Sequence, residues 1–342
     1  MEKTFNKKNL LELRKMSIEE VRQYYMAFRR YEYEIDAPIK WMDLKRRLHF
    51  LVSLILKIDK ILNFRTAVVL GDKRIKTKKP VIYACTHIGR YDIESAIERI
   101  GEQAWFIMGD PGETYRNLNG VILRLNGVSW FEMGEDEACK FDAHTVNVRQ
   151  TKILKAGGKE LCFPEAAWNV DPIKPVGDLN PGVVKRAIRS GAEIVPVAIE
   201  QYRGKHIKHY YLNFGKNIDL SGAKIELAEQ LSEQLREDMA GLKWEIWEKK
   251  GNTARIELPE SWEDGFEQFI DSIMCDTENG YTLEEIERTK YKKNILSDEI
   301  IANPDEVFEH LEYLIPNKNN AFLFRSINSN EVRRSSKVLK KI

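Results

Sequence analysis

The side chains best suited to chemistry in this sequence are a histidine and an aspartate five positions apart. His87 follows the apolar run Val81–Cys85 across a single threonine, and Asp92 begins a segment with helical spacing. A strand that ends in a turn can hold an imidazole at its edge. A nearby carboxylate can fix the ring in one tautomer and stabilise the imidazolium that forms when the ring takes a proton. The pair therefore predicts a general base, with Asp92 as its orienting partner.

Backbone amides lie between the two side chains. At the start of the predicted helix, the amides around Ile88, Gly89 and Arg90 could stabilise an oxyanion, because a helix N-terminus presents N–H groups without intrahelical partners. The sequence contains no Gly-x-Ser-x-Gly nucleophile elbow, which favours direct transfer without a covalent acyl-enzyme. Cys85 and Cys162 each lie inside an apolar run and are expected to be core residues.

A second polar group follows a later apolar run, in the segment Phe163-Pro164-Glu165. Proline restricts the backbone before Glu165, so a carboxylate is expected near the carboxyl edge of a sheet, where ligands bind in open α/β folds. The alternative is a glutamate that only caps a helix or forms a salt bridge. A third segment, Ile194–Ile199, is an apolar run interrupted by Pro196.

These three segments, in this order, resemble the glycerolipid acyltransferase family, which includes the lysophosphatidate and glycerol-3-phosphate acyltransferases. The hallmarks of that family are a His-x4-Asp box, a Phe-Pro-Glu-Gly box and a later Val-Pro-Val strand, and the resemblance covers roughly residues 66 to 220. It implies transfer of a fatty acyl group from an acyl-CoA or acyl-carrier-protein thioester, with no resident cofactor. It also implies that His87 is the base, that Gly89 and Arg90 contact substrate, and that Phe163-Pro164-Glu165 forms part of the acceptor site.

The departures from the family pattern concern the acceptor. Members that bind phosphate carry an arginine after the second motif and another after the Phe-Pro-Glu box. Here Glu132 and Met133 occupy the first region, and Trp168 replaces the second arginine. Because arginine forks supply strong contacts to phosphate, their absence predicts a hydroxyl- or amine-bearing acceptor, such as a glycan or a glycolipid, rather than a simple phosphomonoester. Glu132 and Trp168, together with Trp130, are expected to contact such an acceptor.

Other functions stay open at this point. Arg116, Arg124 or Arg149 could form a displaced phosphate site, which would make the protein a lysophosphatidate or lysophospholipid acyltransferase. A thioesterase would use His87 to activate water, and a non-catalytic acyl-lipid-binding protein would keep the fold without the reaction.

Composition excludes several classes. The 342 residues allow one large or two modest domains, and the contents of 43% apolar and 31% charged residues are too polar for a multispanning membrane protein. A net charge of +1 gives no electrostatic case for nucleic acid. The four cysteines are far apart and the six histidines show no paired metal-ligand spacing, so a metal site is not expected. No apolar signal segment follows Met1, and a reducing cytoplasmic location is predicted.

The order of short apolar runs and helical segments indicates how these residues are positioned. It predicts an α/β fold with a central, largely parallel sheet flanked by helices. Three regions are expected: N-terminal helices over 1–65, an acyltransferase domain over 66–250, and an extension of unknown role over 251–342. Predicted strands are Ala67–Leu70, Val81–Cys85, Ala104–Met108, Glu160–Phe163, Ile194–Ile199 and Tyr210–Phe214. Predicted helices are 93–100, 114–125, 144–156, 181–190 and 223–250.

One N-terminal segment bears on the membrane. Within 43–62, apolar residues recur at helical spacing and follow three basic residues; they are Leu48, Leu51, Val52, Ile55 and Leu62, after Lys45, Arg46 and Arg47. The longest apolar run is too short to span a bilayer, which needs about 20 residues. Such a helix either lies in the membrane interface, giving peripheral contact at the inner face of the membrane, or packs on the core.

Overall fold

A mixed, mostly parallel β-sheet with helices packed on both faces forms the centre of the molecule. The computed structural model describes residues 5–71, 77, 79–88, 91–109, 118–131, 137–166, 176–203 and 207–251. The strands are β1 (Arg65–Leu70), β2 (Val81–Cys85), β3 (Trp105–Gly109), β4 (Val128–Phe131), β5 (Lys159–Cys162), β6 (Glu193–Arg203), β7 (Lys208–Phe214) and β8 (Ile218–Asp219). The helices are α1 (Leu10–Lys15), α2 (Ile18–Glu34), α3 (Ala37–Lys40), α4 (Met42–Leu62), α5 (Asp92–Ile100), α6 (Leu118–Asn126), α7 (Glu137–Lys155), α8 (Gly182–Ser190) and α9 (Ala228–Gly251), the last preceded by the 3-10 turn Ile225–Leu227.

The strand order places β2 in the middle of the sheet. Among the described residues the order is β1-β7-β6-β2-β5-β3-β4, and β8 pairs with β6. The β6–β7 and β6–β8 pairs are antiparallel and the others are parallel. In register, Ala84 lies opposite Cys162 on β5 and Pro196 on β6. The chain therefore leaves β2 and β5 at the same carboxyl edge, where His87 and Glu165 follow.

β2 is apolar throughout because both faces of the sheet are covered. Val81, Tyr83 and Cys85 pack in a core cluster with residues of α1, α2, α4 and α5. Ile82 and Ala84 face the other way, into a cluster with α8 and α9. All five residues are buried, as a central parallel strand requires.

The predicted α/β fold with a largely parallel sheet is confirmed. The six predicted strands are present: β2 has the predicted ends, and the other five have shifted ends, the largest change being in β6, which runs from Glu193 to Arg203. α2 begins with a capping box, in which Ser17 N donates to Glu20 Oε2 at 2.7 Å and Glu20 N donates back to Ser17 Oγ at 3.3 Å. The helix predicted at 144–156 begins earlier, at Glu137.

Two strands of the structure, β4 and β8, were not predicted from the sequence. β4 has four residues and pairs only with β3, and β8 has two residues and pairs only with β6. Such short segments give too few alternations for a period of two to be detected. Part of the helix predicted at 114–125 and nearly all of the 251–342 extension lie outside the described residues.

The apolar face predicted for the 43–62 segment is rotated in the structure. Val52 is fully buried in the core, and Leu48 and Ile55 are half-buried. Two residues of the predicted face, Leu51 and Leu62, are exposed. The other exposed apolar side chains of α4 and the residues just after it are Leu44, Phe50, Leu54, Ile58, Ile61 and Phe64, and all eight are at least 36% exposed. The helix thus has an apolar side toward the core and a second apolar side toward solvent.

The basic residues at the start of α4 also differ from the prediction. The ammonium of Lys45 donates to the carbonyl of Arg124, and Arg46 donates to the carbonyl of Gly157 at 2.5 Å. Two of the three cations are therefore hydrogen-bonded to backbone carbonyls of the protein itself, while Arg47 is exposed. In the part of the chain that the structure describes, none of the helices combines the length and apolar content needed to cross a bilayer.

Candidate active site

His87 and Asp92 form a close pair at the carboxyl edge of the sheet. Nδ1 of His87 lies 2.6 Å from Oδ2 of Asp92. The Asp92 side chain is buried, at 1% exposure, whereas the His87 side chain is 18% exposed. With the ring proton on Nδ1 and directed at the carboxylate, Nε2 is the basic nitrogen. The imidazole is thus held in one tautomer and can be reached from solvent.

Backbone amides hold the Asp92 carboxylate in place. Oδ2 also accepts from Ile88 N at 3.1 Å, and Oδ1 accepts from Ile93 N at 2.7 Å. Asp92 is the first residue of α5, where the helix dipole favours a negative charge. The Ile88 amide, which the sequence analysis offered as an oxyanion donor, is therefore already engaged by Asp92.

The turn between His87 and α5 contains a non-glycine residue in the left-handed region. Tyr91 has φ of 74°, a conformation that costs an L-residue free energy and that persists only where the surroundings impose it. Its hydroxyl donates to Asn63 Oδ1 at 2.8 Å, and the Arg65 guanidinium lies 5.6 Å from the ring centroid. The end of α4 and the start of β1 therefore brace the residue that precedes Asp92.

The residue before His87 ties the end of β2 to β6. The buried hydroxyl of Thr86 donates to Ile199 O at 3.1 Å and accepts from Ile199 N at 2.8 Å. Its amide donates to Val197 O at 3.0 Å. Thr86 thereby extends the pairing of β2 beyond Cys85 and fixes the point at which His87 leaves the sheet.

Glu165 holds the backbone of His87 from the other side. Oε1 of Glu165 accepts from His87 N at 2.9 Å, and Oε2 accepts from Gly177 N at 2.7 Å. A Cβ at position 177 would lie 3.2 Å from Oε2, so glycine permits this close approach. Both carboxylate oxygens are bound to amides, and Glu165 connects the base to the segment that leads into α8.

The loop that carries Glu165 is a tight turn after β5. Ala166 N donates to Phe163 O at 3.0 Å, and Asn180 N donates to Pro164 O at 2.8 Å. Ala166 has φ of 60°, a left-handed conformation that glycine adopts at lower cost. Phe163 packs against the imidazole, with ring centroids 4.4 Å apart and planes inclined by 31°.

Three further ionisable groups lie near the pair. Burial raises the pKa of Glu94, in the first turn of α5, to about 7, and the neighbouring Asp92 carboxylate acts in the same direction. Burial likewise raises the pKa of the Cys85 and Cys162 thiols, with smaller contributions from nearby charges. Both cysteines are buried and free, so they are core residues as the sequence indicated, and not thiolate nucleophiles.

The structure brings together five of the predicted site residues, namely His87, Asp92, Phe163, Pro164 and Glu165. Gly89, Arg90, Glu132 and Trp168 lie outside the described residues. The contributions of Thr86, Tyr91 and Gly177 were missed because each acts through its backbone or through a contact distant in sequence. The signals present were the glycine at 177 and the polar Thr86 at the end of an apolar strand.

Two interpretations of acceptor residues are corrected. Trp130 is fully buried, and its ring packs edge to face with that of Tyr25, with ring centroids 5.8 Å apart. It therefore has no surface for stacking on an acceptor. Arg124 and Arg149 line a cavity whose walls include Trp105 and Val128, the first residues of β3 and β4. This is the amino edge of the parallel strands, opposite the edge at which His87 lies. Neither Arg124 nor Arg149 can therefore replace the missing phosphate ligands beside His87, whereas Arg116, the third candidate, lies outside the described residues.

Within the described residues, no group of three or more His, Cys, Asp and Glu side chains is placed to hold a metal ion. A comparison with models of protein families found no match, and a comparison with curated proteins found none either. Among solved structures, the crystal structure of the 1-acyl-sn-glycerophosphate (LPA) acyltransferase PlsC from Thermotoga maritima is similar to it. The two share 18% identity over 59% of this chain and 81% of that chain, with a TM-score of 0.44. At that identity and TM-score, the chemistry of this chain rests on its own residues.

Proposed function

We propose that this protein is an acyltransferase that moves a fatty acyl group from a thioester to a hydroxyl or amine, with His87 as the general base. The observation that carries the proposal is the 2.6 Å contact between Nδ1 of a partly exposed imidazole and a buried carboxylate. The geometry suits a base, because Asp92 sets the tautomer that leaves Nε2 basic and stabilises the imidazolium that follows.

In the proposed reaction, Nε2 of His87 takes the proton of the acceptor as the acceptor oxygen or nitrogen attacks the thioester carbonyl. The C–S bond then breaks, and the thiolate leaves with the proton that the imidazolium returns. The acyl group passes directly to the acceptor. Glu165 is a positioning residue in this scheme, since both of its oxygens bind amides and one of these belongs to His87.

The acceptor is proposed to carry hydroxyls or an amine rather than a simple phosphomonoester. Two arginines that would bind phosphate are absent from the sequence, where Met133 and Trp168 stand. The location of Arg124 and Arg149 on the opposite edge of the sheet supports the same conclusion. Loss of two charge-assisted contacts would weaken phosphate recognition by a few powers of ten at ~1.5–3 kcal/mol each.

The exposed apolar side of α4 supports peripheral contact with a membrane, where a lipid acceptor would be found. Isolated apolar side chains on a surface are ordinary, but a row of them along one helix is characteristic of an interaction surface. A helix of this kind binds in the plane of the membrane interface through its buried apolar area.

An assay of thiol release separates the proposed activity from its alternatives. The protein is incubated with acyl-CoA or acyl carrier protein thioesters, alone and with lysophosphatidate, glycerol 3-phosphate, glycolipids and aminolipids. We expect free thiol only when a neutral or amine-bearing acceptor is present. Release without any acceptor would identify a thioesterase, efficient use of lysophosphatidate would overturn the acceptor assignment, and no release with any pair would contradict the proposed activity.

A further inference from the structure

A cavity of about 410 Å³ lies between the N-terminal helices and the amino ends of two sheet strands. Its walls come from the N-terminal segment, α2, α4, α6 and α7, and from Trp105 and Val128 at the starts of β3 and β4. β3 and β4 run parallel to β5 and hence to β2. His87 follows the carboxyl end of β2, so the cavity and the candidate active site lie at opposite edges of the sheet.

The charged groups in the wall are mostly positive. Lys7, Lys45, Arg124 and Arg149 contribute four cations, and Glu32 contributes one carboxylate. Arg149 pairs with Glu32 at 3.2 Å. Among the described wall residues this excess of positive charge favours an anionic ligand, because low-dielectric walls strengthen electrostatic attraction.

Two donors in the wall are buried without a partner among the described residues. They are Nε of Arg149, a residue with 7% exposure, and Nε1 of Trp105, a residue with 2% exposure. Both donor atoms are closed off from a molecule the size of water, so a ligand in the cavity does not reach them, and recognition of an anionic ligand rests on the cations of the wall.

The environment of Lys45 also favours a negatively charged ligand. Its ammonium donates to the carbonyl of Arg124 and lies 5.3 Å from the centroid of the Trp105 ring. Burial lowers the pKa of Lys45 to about 8, while Glu32 opposes the shift and Arg149 and Arg124 add to it. A negatively charged ligand would stabilise the buried ammonium and offset its repulsion from the two arginines.

The rest of the wall is apolar or aromatic, and it includes Tyr25, Phe28, Trp41, Leu44, Leu48 and Val121. The volume of about 410 Å³ lies within the ~300–1,000 Å³ range of small-molecule pockets, so the cavity has room for a carboxylate with a medium-length alkyl chain. Cationic side chains beside an apolar wall match an amphiphile of that kind.

We propose that this cavity is a second ligand site, which binds an amphipathic organic anion with a medium-length apolar tail. The anionic head contacts Lys45, Arg124 and Arg149, and the tail lies against α2, α4 and α6. The site is independent of the reaction proposed at His87, and binding to it does not require that reaction.

Titration calorimetry on the full chain tests the proposal with sodium dodecanoate below its micelle concentration. We expect one molecule to bind per chain, and acetate and dodecanol to bind at least about tenfold more weakly because one lacks the tail and the other the charge. Dodecyl phosphate distinguishes the source of the head group: tighter binding than dodecanoate assigns a phosphate ester, and weaker binding assigns a carboxylate.

Two variants locate the ligand. Val121→Trp fills the cavity, and Arg124→Gln removes one cation; each is expected to weaken dodecanoate binding by about ten- to hundredfold. Arg47→Gln is the matched control, because it removes an exposed arginine from α4 outside the cavity and should leave the affinity unchanged. Circular dichroism verifies that all three variants fold, and Lys45→Met serves if one does not.

The proposal is overturned if wild-type protein does not bind dodecanoate, or if dodecanol binds equally well. It is also overturned if folded Val121→Trp binds as tightly as wild type, which would assign the fatty acid to another site. A His87→Ala variant that keeps dodecanoate binding would separate this site from the candidate active site, whatever the outcome for acyl transfer.

Discussion

At the residue scale, the candidate site is held together by carboxylates that bind backbone amides. Asp92 accepts from Ile88 N and Ile93 N as well as from the imidazole, and Glu165 accepts from His87 N and Gly177 N. These bonds fix both the backbone and the ring of His87. A base held in this way loses little orientation when it takes a proton.

The substitution Asp92→Asn tests the orienting role. An amide can donate to Nδ1 and so favour the tautomer that leaves Nε2 protonated, which removes the base. We expect kcat for acyl transfer to fall by about 10²-fold, within the range of general-base contributions. Asp43→Asn, at an exposed position on α4, is the control. An unchanged kcat in a folded Asp92→Asn protein would make Asp92 a structural residue.

The substitution Ala166→Gly tests the strain in the turn after Glu165. Because Ala166 has φ of 60°, glycine should relieve a penalty of roughly 1–2 kcal/mol, partly offset by about 0.5–1 kcal/mol of chain entropy in the unfolded state. We expect a net rise in the free energy of unfolding, measured by urea denaturation. Ala240→Gly, within α9, should lower it instead. A lower stability for Ala166→Gly would show that the turn carries no strain.

Sequence reasoning identified some of these residue contacts and missed others for a physical reason. His87 and Asp92 are separated by one turn, so their proximity follows from local geometry. The bond from His87 N to Glu165 joins residues 78 positions apart and ends on a backbone amide. Side-chain patterns carry no information about which amide a distant carboxylate binds, and Glu165 was therefore assigned to the acceptor rather than to the support of the base.

At the element scale, α4 illustrates the limit of periodicity. The helix is apolar on two sides, and a hydrophobic period does not state which side faces the core. Packing against β1, α5 and α6 buries Val52 and Leu56 and leaves Leu54 and Ile58 exposed. The existence of the helix could be predicted, whereas its orientation depends on tertiary contacts.

The substitutions Leu54→Glu and Ile58→Glu together test membrane contact through α4. Burial of each wild-type side chain in the membrane interface could contribute up to ~1.5–3 kcal/mol to binding. The glutamates remove this contribution, and their charges oppose insertion. We expect co-sedimentation with anionic liposomes to fall at least about tenfold. Leu227→Glu with Ile207→Glu, two exposed apolar positions outside α4, should have little effect. Wild-type protein that never co-sediments would rule out this surface as a membrane contact.

At the scale of the whole molecule, the sheet separates two chemical environments. The carboxyl edge holds His87 and its carboxylates, and the amino edge holds a cavity lined by cations. The alternation of strands and helices was sufficient to predict the fold class, because that pattern depends only on residues that are neighbours in the sequence. The strand order and the cavity depend on which distant segments pack together, so they could not be read from the chain.

The pH dependence of stability tests the environment of Lys45. The pKa of Lys45 is lowered from 10.5 to about 8 in the folded protein by burial. Between these values the unfolded chain binds more protons than the folded chain, so stability rises with pH across this window. We expect wild type to gain stability relative to Lys45→Met from pH 8 to 10.5, and Lys40→Met, at an exposed position, to show no such trend. A constant difference between wild type and Lys45→Met would contradict the assigned burial.

The most direct test of the central claim is the rate of acyl transfer by His87→Ala in single-turnover assays with the acyl thioester and the best acceptor. Removal of the base should lower the rate by about 10²–10⁴-fold, while circular dichroism and thermal unfolding stay close to those of wild type. Such a loss, with thioester binding retained, is the result predicted. A folded His87→Ala protein that transfers the acyl group at the wild-type rate would contradict the assignment of His87 as the base.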